Sequence, residues 1–463
     1  MNTVAAPFAP SSARTAGTHR PAGLDWLEDA PREQVLAYQW QRLGAYLRWL
    51  EGRSPFWQNK LRAAGVSAGD VSDWEAFRRL PTTDKSEQAQ ALESGQADYG
   101  GLLCRPLDEL KAMGAVYWRT TGTTGKQRAF VASSDEFDRT CVRACARVVR
   151  MAGIGPGDSV AITAPVNFWI AGLGLYLACR SIGATPLMLG PPFDSRTKLA
   201  LIEQYRPDAL FLTPTFALRL GETAREAGID LPTLGIRTLM VGGEVTTDET
   251  RAAIRKLWQP TLGIRDCGGM SETTGWMFSD CEAEQWLHLF EDIHHCDITD
   301  PNDPSKPVAE GEIGELIVTS FLQRDLVPAF RFRTNDLVRH TDQPCACGRT
   351  HRRLRYIGRR DDMRIIGGIN VFPSTVEAVV RDLALLNGHF RLSTPERGEY
   401  LQLRAEHAVG LSTGDLSALD SELKARLRQA LGLNVRVQLL APDTLERFEV
   451  KSRLWEPFDA AQR

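Results

Sequence analysis

The chain has 463 residues, of which 55 are Lys or Arg and 58 are Asp or Glu, so its formal net charge is -3. This balance argues against a surface for nucleic acid or an anionic membrane. No apolar run reaches the roughly 18 residues of a membrane span, and no secretory h-region is present, so we expect a cytoplasmic protein with neither nucleic-acid nor membrane partners.

The length exceeds what one hydrophobic core usually supports, which predicts a large domain and a smaller one. Nine cysteines, an odd number, in a chain without an export signal are expected to be reduced thiols, some of them metal ligands. Residues 1–23 are rich in Ala, Pro, Ser, Thr and Arg without apolar periodicity, which predicts a disordered leader.

Residues 24–80 have a helical pattern. The apolar residues of this region share one face of a helix: Leu43, Tyr46, Leu47 and Leu50. We expect this segment to be a scaffold.

A loop rich in glycine and threonine follows between two apolar stretches, which predicts strand, flexible loop, strand. Its glycines permit positive φ, its threonines offer hydroxyls and its lysine offers charge, as a phosphate cradle requires. The loop consists of Thr120, Thr121, Gly122, Thr123, Thr124, Gly125 and Lys126. It is not a Walker loop, since Thr120 and Gln127 stand where that motif needs Gly and Ser or Thr. An ordinary hairpin turn is the alternative interpretation.

Beyond the loop, strand and helix patterns alternate as far as Val241, which predicts a layered α/β body. Three capping boxes are predicted to begin helices, at Ser133-x-x-Glu136, Thr246-x-x-Glu249 and Ser374-x-x-Glu377.

The loop at residues 120–126 resembles the ATP-phosphate loop of the adenylate-forming superfamily of acyl-CoA synthetases, adenylation domains and luciferases. Later motifs follow in the family order and are similar to those of the phenylacetate-CoA ligase branch. The resemblance implies a large layered α/β domain at residues 24–358 and a small α+β C-terminal lid domain at residues 359–463, joined by a hinge. It also implies that ATP, Mg²⁺ and coenzyme A take part.

The resemblance assigns further nucleotide-binding residues after two strands. Gly243 and Glu244 would lie against the adenine. The stretch Cys267–Glu272 is similar to Tyr-Gly-Leu-Ser/Thr-Glu of the family, where Glu272 would bind Mg²⁺ and Ser271 would flank it. This stretch contains Gly268, Gly269, Met270, Ser271 and Glu272. Gly268 replaces the aromatic residue that stacks on adenine, and this leaves space that Trp276 could fill.

Four aromatic residues are candidates to line the acid pocket: Trp118, Phe168, Trp169 and Trp276. Phe168 and Trp169 follow a strand end, where ligands bind in such sheets. Packing in the core is the alternative for them.

The most specific resemblance covers residues 332–377. Asp336 would accept hydrogen bonds from both ribose hydroxyls, and Asn335 stands in place of the family's glycine. Arg359 would reach the ribose or the α-phosphate, Asp361 would be the hinge, and Gly367 and Gly368 would admit the pantetheine arm of coenzyme A. Near the C-terminus, Lys451 resembles the lysine that bridges the substrate carboxylate and the α-phosphate, so Lys451, Glu272 and Thr121 are the predicted catalytic residues.

Three cysteines and one histidine offer the ligands of a tetrahedral Zn²⁺ site: Cys281, His288, Cys345 and Cys347. Some ligases that resemble phenylacetate-CoA ligase carry a similar structural zinc set. Four unlinked core residues are the alternative, and His294, His295 and Cys296 are rival ligands.

Together these motifs predict an acid-thiol ligase that activates an aromatic or arylacetic carboxylic acid as acyl-AMP and transfers it to coenzyme A. One alternative is transfer to a carrier protein, an amine or another nucleophile, and another is a catalytically silent nucleotide-binding module. Family analogy also suggests a homodimer.

Overall fold

The computed structural model describes residues 27–458 except 96, 121–127, 285, 397, 399 and 448–453. The predicted leader, the phosphate-loop residues from Thr121 to Lys126 and the predicted catalytic Lys451 therefore lie outside the described residues. In the part that is described, no helix is both long and apolar enough to span a membrane.

The helices are α1 Arg32–Arg53, α2 Pro55–Ala63, α3 Trp74–Arg78, α4 Lys85–Glu93, α5 Leu107–Ala112, α6 Ser134–Phe137, α7 Arg143–Met151, α8 Ile170–Ser181, α9 Ser195–Tyr205, α10 Pro214–Glu226, α11 Asp248–Leu257, α12 Pro373–Asp382 and α13 Thr413–Leu431. The strands are β1 Ala115–Arg119, β2 Ala129–Ser133, β3 Ser159–Ile162, β4 Thr185–Met188, β5 Ala209–Leu212, β6 Thr238–Gly242, β7 Gly263–Met270, β8 Gly275–Ser279, β9 Leu287–Leu289, β10 His295–Asp300, β11 Asp303–Pro307, β12 Ile313–Thr319, β13 Phe332–Thr341, β14 Arg353–Arg359, β15 Arg364–Ile366, β16 Ile369–Val371, β17 Leu386–Ser393, β18 Leu401–His407 and β19 Val435–Leu440.

A twelve-stranded sheet forms the body, with the strand order β11-β10-β12-β13-β14-β9-β8-β7-β6-β5-β3-β4. The half from β4 to β7 is parallel and its strands are separated along the chain by α8 to α11, whereas the half from β7 to β11 is antiparallel. Parallel strands need crossover helices on their faces, and apolar runs such as β5 and β6 are buried accordingly. The predicted layered α/β fold is confirmed.

The N-terminal helices pack on this body as the sequence predicts. Leu43, Tyr46, Leu47 and Leu50 are all buried on one face of α1. That face belongs to a hydrophobic cluster that also contains Trp57 of α2 and Phe330, which precedes β13.

The predicted capping boxes are only partly correct. Ser133 does cap α6 by accepting a hydrogen bond from the Glu136 amide at 3.3 Å, but the Glu136 carboxylate accepts from the Asp325 amide at 3.0 Å instead of returning to Ser133. The chain then makes one π-helical turn at Asp138–Val142. A tertiary partner has therefore replaced the local one.

The other two capping predictions were wrong by position. The residue that caps α11 is Thr247, which accepts from the Thr250 amide at 3.1 Å. Helix α12 begins with Pro373, so its N-cap residue is Phe372, which has no side-chain acceptor. Ser374 lies within the first turn, and its hydroxyl donates to the Ile357 carbonyl at 3.0 Å. Proline at the first position leaves one fewer amide to satisfy, so this start needs no serine cap.

A smaller C-terminal domain contains the three-stranded sheet β17-β18-β19, α12, α13 and the hairpin of β15 and β16. Its core joins both helices to the sheet and is separate from the body's core. Helix α13 ends at the C-cap residue Gly432, which has φ 72°.

Candidate active site

Strands β1 and β2 flank the glycine- and threonine-rich loop, as predicted, and the structure pairs them antiparallel. Their last described pair is Arg119 opposite Ala129. At the base of the loop the Thr120 amide donates to the Arg128 carbonyl and the Arg128 amide donates to the Thr120 hydroxyl, both at 3.0 Å. The base of the loop is therefore closed at fixed positions, while residues 121–127 lie outside the described part.

Glu272 lies next to the base of this loop. Its side chain is 2% exposed, and Arg128 donates a hydrogen bond to its Oε1 atom. Arg128 also donates to Gln88 of α4 at 2.9 Å, so the guanidinium is held on two sides. Among the described residues none donates a hydrogen bond to Oε2 of Glu272. A hard carboxylate oxygen of this kind fits Mg²⁺, provided that phosphate and water oxygens complete the coordination.

Trp118 lies beneath the Glu272 segment. Its indole N–H donates to the Ser271 carbonyl at 2.9 Å, and its ring stacks on Phe130 with a centroid distance of 5.8 Å. The side chain is 3% exposed and also contacts Phe137. The environment of Trp118 is thus the hydrophobic core, where it supports Ser271, and this favours core packing over the predicted pocket-lining role.

The glycine turn after β6 has the geometry that an approaching planar ring needs. Gly243 has φ 87°, and a Cβ atom on it would meet only the Thr213 side chain, at 3.9 Å. Glu244 accepts a hydrogen bond from the Thr215 amide at 3.0 Å, which ties the turn to the start of α10. The backbone at Gly243 is therefore accessible and fixed.

The strand β7 carries the Cys267–Glu272 stretch toward this turn, and both of its central glycines are sterically required. A Cβ atom on Gly269 would lie 2.0 Å from the Gly275 carbonyl oxygen, and one on Gly268 would lie 2.4 Å from the Phe278 ring. The space beside Gly268 is thus filled by Phe278 and not by Trp276, which corrects the sequence prediction. Trp276 lies against Gly242 and packs edge-on to Phe211 at 5.4 Å.

Asp336 lies across the site on β13. It is 6% exposed and accepts hydrogen bonds from the Tyr356 hydroxyl and from Arg359, the latter at 3.1 Å. Burial raises the pKa of Asp336, although the Arg359 charge, the Tyr356 hydrogen bond and the Lys85 charge oppose the shift. Its neighbour Asn335 has φ 64°, so asparagine does adopt the left-handed conformation expected of the family's glycine.

Arg359 links Asp336 to the predicted hinge. The two residues are paired across β13 and β14, and Arg359 also forms two hydrogen bonds with the Asp361 carboxylate, at 2.8 and 2.9 Å. Burial opposes ionisation of Asp361, but these contacts with Arg359 lower its pKa overall. Beyond the hinge, Gly367 and Gly368 form the turn between β15 and β16, with φ 56° and 82°. A Cβ atom added to either glycine would have no atom within 4 Å.

Lys85, a residue to which the sequence analysis assigned no site role, also faces this site. It is the first residue of α4, and the chain just before it pairs with β13 through hydrogen bonds of Thr83 with Arg331 and Arg333. The charges of Glu272 and Asp336 both act on its ammonium group, as do those of Arg359 and Asp361, and burial lowers its pKa.

A sequence signal for Lys85 did exist. Asp84 caps α4 by accepting from the Glu87 amide at 2.9 Å, so Lys85 places a cation at the positive end of the helix dipole, which is locally unfavourable. A residue whose charge is unfavourable in its local structure is expected at a functional site. Among the described residues Lys85 makes no ion pair within 4.0 Å, so its charge is free to meet an anion.

The predicted pocket residues Phe168 and Trp169 lie in the loop before α8. Phe168 is 60% exposed, its carbonyl accepts from the Arg119 amide at 2.8 Å, and its ring lies 5.9 Å from the Arg119 guanidinium. Trp169 is the residue before α8 and is partly buried against the body's core. The exposed ring of Phe168 is available to a ligand.

The predicted zinc ligands are brought together by the fold. The ligand atoms of Cys281, His288, Cys345 and Cys347 all lie within 4.8 Å of one another. A tetrahedral zinc ion with Zn–S of about 2.3 Å and Zn–N of about 2.0 Å separates two sulfurs by about 3.8 Å and a sulfur from a nitrogen by about 3.5 Å. The Cys281 and Cys345 sulfurs are 3.7 Å apart, and Cys347 Sγ is 3.6 Å from His288 Nε2. The donor set therefore fits zinc.

The rival ligands lie elsewhere. His294 contacts the Ser320 hydroxyl at 2.8 Å and the Trp276 carbonyl at 3.2 Å. His295 stacks on Trp74 and contacts Gln39, and Cys296 is buried among apolar side chains. The interpretation as four unlinked core residues is likewise excluded by the distances in the cluster.

Comparison with known proteins agrees with this geometry. Residues 62–321 match the AMP-binding enzyme family, and residues 368–455 match the AMP-binding enzyme C-terminal domain. The first match covers more than half of the chain, so the protein belongs to the AMP-binding enzyme family.

Among individual relatives, the phenylacetate-coenzyme A ligase of Thermus thermophilus is 29% identical over 445 residues, which cover 91% of this chain and 96% of that protein. The phenylacetate-coenzyme A ligase of Escherichia coli K12 is also 29% identical, over 93% of this chain and 96% of that protein. The crystal structure of a 2-hydroxyisobutyryl-CoA ligase in its postadenylation state superposes with a TM-score of 0.87 over 96% of this chain and 94% of that chain, at 24% identity. The predicted resemblance and the fold are thereby confirmed.

Proposed function

We propose that the protein is an AMP-forming acid-CoA ligase, which activates an organic carboxylic acid with ATP and then forms the coenzyme A thioester. The observation that carries this proposal is that four predicted nucleotide-binding features lie around one site. These are Glu272, Asp336, Arg359 and the base of the 121–127 loop. The phenylacetate-coenzyme A ligase relatives, which match this chain over more than nine-tenths of its length, support it.

The chemistry explains why such groups are needed. A carboxylate is a poor acyl donor because oxide would have to leave. Attack of a carboxylate oxygen on the α-phosphorus of ATP releases pyrophosphate and gives an acyl adenylate, from which AMP leaves readily. Catalysis of this step depends on positioning and on neutralising the phosphate charge.

Each residue has a corresponding role. Asp336 accepts hydrogen bonds from the ribose hydroxyls, and Arg359 orients its carboxylate and opposes the rise in its pKa caused by burial. Thr121 and the other residues of the phosphate loop bind the β- and γ-phosphates. Glu272 would hold Mg²⁺, which would supply Lewis-acid neutralisation of the phosphate charge. Lys451 bridges the substrate carboxylate and the α-phosphate.

The second step requires a different lid position. Rotation about Asp361 withdraws Lys451 and brings the Gly367–Gly368 turn to the site, where the thiol attacks the acyl carbon and AMP leaves. The exposed and unobstructed glycine turn supports this role for a pantetheine arm. Lys451→Ala is expected to slow adenylation by about tenfold or more, while acyl transfer from preformed acyl-AMP continues.

We infer that the acid is aromatic or arylacetic. The exposed ring of Phe168, the neighbouring Trp169 and the phenylacetate named as the acid of the relatives support this assignment. An aromatic acid would stack on such rings at offset or edge-on geometry.

The test is ATP–pyrophosphate exchange over a panel of acids, followed by product analysis with and without coenzyme A. Exchange that depends on arylacetic or aryl acids, with thioester formation on addition of coenzyme A, is the expected result. Exchange without any consumption of coenzyme A would replace thioester formation with another acceptor. Failure of every acid to support exchange would contradict the proposal.

We also propose that Cys281, His288, Cys345 and Cys347 hold a structural Zn²⁺. The fit of the two donor distances to a tetrahedron supports it, and hydrogen bonding with His288 lowers the pKa of the Cys345 thiol, which favours the thiolate that zinc requires. The purified protein is expected to contain one zinc per chain. Metal analysis that finds none, or unchanged thermal stability of Cys345→Ser, would exclude the site.

A further inference from the structure

The loop that carries Cys345 and Cys347 is bound to the N-terminal segment of the chain. The Thr350 amide donates to the Glu28 carbonyl at 2.8 Å, and the Thr350 hydroxyl donates to the carbonyls of Glu28 and Ala30. Leu27 and Glu28 are 1% and 2% exposed. The partners are 320 and 322 residues apart in the chain, so this contact is a product of the tertiary fold.

Arg349 connects the same segment to a metal ligand. Its guanidinium donates to Glu28 Oε1 at 2.9 Å, and its charge acts on the Cys347 thiolate, two residues earlier in the loop. Within the loop, the Cys345 amide donates to the Arg349 carbonyl at 3.3 Å. The charge of Arg349 is therefore placed against a thiolate and oriented by a buried carboxylate.

A second set of contacts reinforces the first. The Arg352 amide donates to Glu291 Oε2 at 2.7 Å, and Arg32 of α1 pairs with the same carboxylate. Gln39, about two turns further along α1, donates to the Glu291 carbonyl at 2.8 Å. Helix α1 is thus attached to Glu291, whose buried carboxylate also binds the chain just after the metal-binding loop.

The charge of the metal centre explains why these contacts matter. Three thiolates around a divalent cation leave a net charge of -1 in a partly buried site, and Arg349 offsets it. Glu28 keeps Arg349 in place, because an arginine fork prefers a carboxylate partner to water. Partners beyond the ligands orient the ligands and commonly change metal affinity by about 10–100-fold when removed.

We propose that Glu28 and Arg349 form an outer shell of the metal centre, so that zinc binding holds the N-terminal segment and α1 on the body, and the N-terminal segment in turn strengthens zinc binding. Glu28 is a positioning residue here, acting on Cys347 through Arg349. The inference depends on the proposed zinc site and concerns a role of the N-terminal segment in holding the metal, in addition to its scaffold role.

Zinc affinity is the first test. Glu28→Gln keeps the size of the side chain and removes its charge, and it is expected to weaken zinc binding about tenfold or more in competition with a chromophoric chelator. Glu33→Gln, an exposed substitution in the first turn of α1, is the matched control and should leave the affinity unchanged. Equal affinities of the wild-type protein and Glu28→Gln would overturn the proposal.

The reciprocal effect is tested on the wild-type protein, which avoids any folding defect of a variant. Hydrogen exchange is measured before and after zinc removal by a chelator. Faster exchange in residues 27–53, with unchanged exchange in β18 of the lid, is expected. Hydrogen exchange in residues 27–53 that is equally slow before and after complete zinc removal would overturn the proposed coupling. A wild-type protein that contains no zinc would instead contradict the proposed zinc site itself, so the two failures are distinguishable.

Discussion

Gly268 and Phe278 face each other across β7 and β8, and the Phe278 ring occupies the place where a side chain on residue 268 would lie. A Cβ atom on Gly268 would be 2.4 Å from that ring, and the two residues are directly paired in the sheet. Phe278 is itself 8% exposed and belongs to the core of the antiparallel half. The absence of the family's aromatic residue at position 268 is therefore matched by a bulky residue on the neighbouring strand.

This pairing predicts a steric conflict. Gly268→Ala is expected to destabilise the protein by about 1–3 kcal/mol, as overpacking of a close-packed core usually does. Thermal or chemical unfolding measures the change. Gly155→Ala, where no atom lies within 4 Å of the Cβ position, is the control. The double variant with Phe278→Leu should regain part of the loss, and additive losses in the two variants would contradict the pairing.

Lys85 is expected to contribute to the adenylation step. Loss of a charged contact to phosphate usually costs about 1.5–3 kcal/mol, so Lys85→Met should lower kcat/KM for ATP by about 10–100-fold in pyrophosphate exchange, and Lys85→Arg should retain more activity. Affinity for AMP, which lacks the β- and γ-phosphates, should change much less. Lys60→Met is a suitable control, because Lys60 forms an ion pair with Glu87, and Glu87 lies on the same helix as Lys85. Equal loss of ATP and AMP binding would argue against a phosphate contact.

Asp336 is expected to make nucleotide binding sensitive to acid. Burial raises the pKa of Asp336, and binding of the ribose hydroxyls requires the ionised carboxylate. ATP affinity should therefore be highest above this raised pKa and should fall as the pH decreases through it. The fall should therefore begin at a higher pH than for an exposed aspartate. Asp336→Asn should weaken ATP binding about tenfold or more and remove this pH dependence. Calorimetric titration across a pH series would show both effects, and an unchanged pH profile in the variant would contradict the assignment.

Glu406 should stabilise the lid domain. It is fully buried and accepts from Arg447 at 2.7 and 2.9 Å, from Asn387 at 2.6 Å and from the Leu445 amide at 2.6 Å. Although burial opposes ionisation, these partners lower the pKa of Glu406 from 4.5 to about 2. Its stabilising effect is thus complete above pH 4.5 and is lost as the pH falls toward 2.

Removal of this carboxylate charge tests the assignment. Glu406→Gln is expected to destabilise the lid by about 1.5–3 kcal/mol at neutral pH, with a smaller difference from the wild-type protein near pH 2. Exposed Glu422→Gln on α13 provides the control. Unfolding followed by hydrogen exchange in β18 and β19 isolates the lid, and a difference that does not shrink in acid would contradict the charge argument.

The local features of this protein could be predicted from its sequence. The apolar spacing in α1 and α13, the strands on either side of the phosphate loop and the order of the motifs all follow from the residues near them. Local periodicity and short motifs encode such features because neighbouring side chains share one element. The family of the protein, and hence its class of reaction, was already present in these motifs.

Contacts between residues that are distant in the chain could not be predicted in this way. The Glu136 carboxylate binds the Asp325 amide instead of completing its predicted capping box, and Phe278 fills the space assigned to Trp276. Lys85 lies near Glu272 and Asp336, although the sequence analysis gave it no site role. The contact of Glu28 with Arg349 belongs to the same group. Such contacts depend on how whole elements pack and on where a buried polar group finds its partner, and neither is recorded in the spacing of residues along the chain.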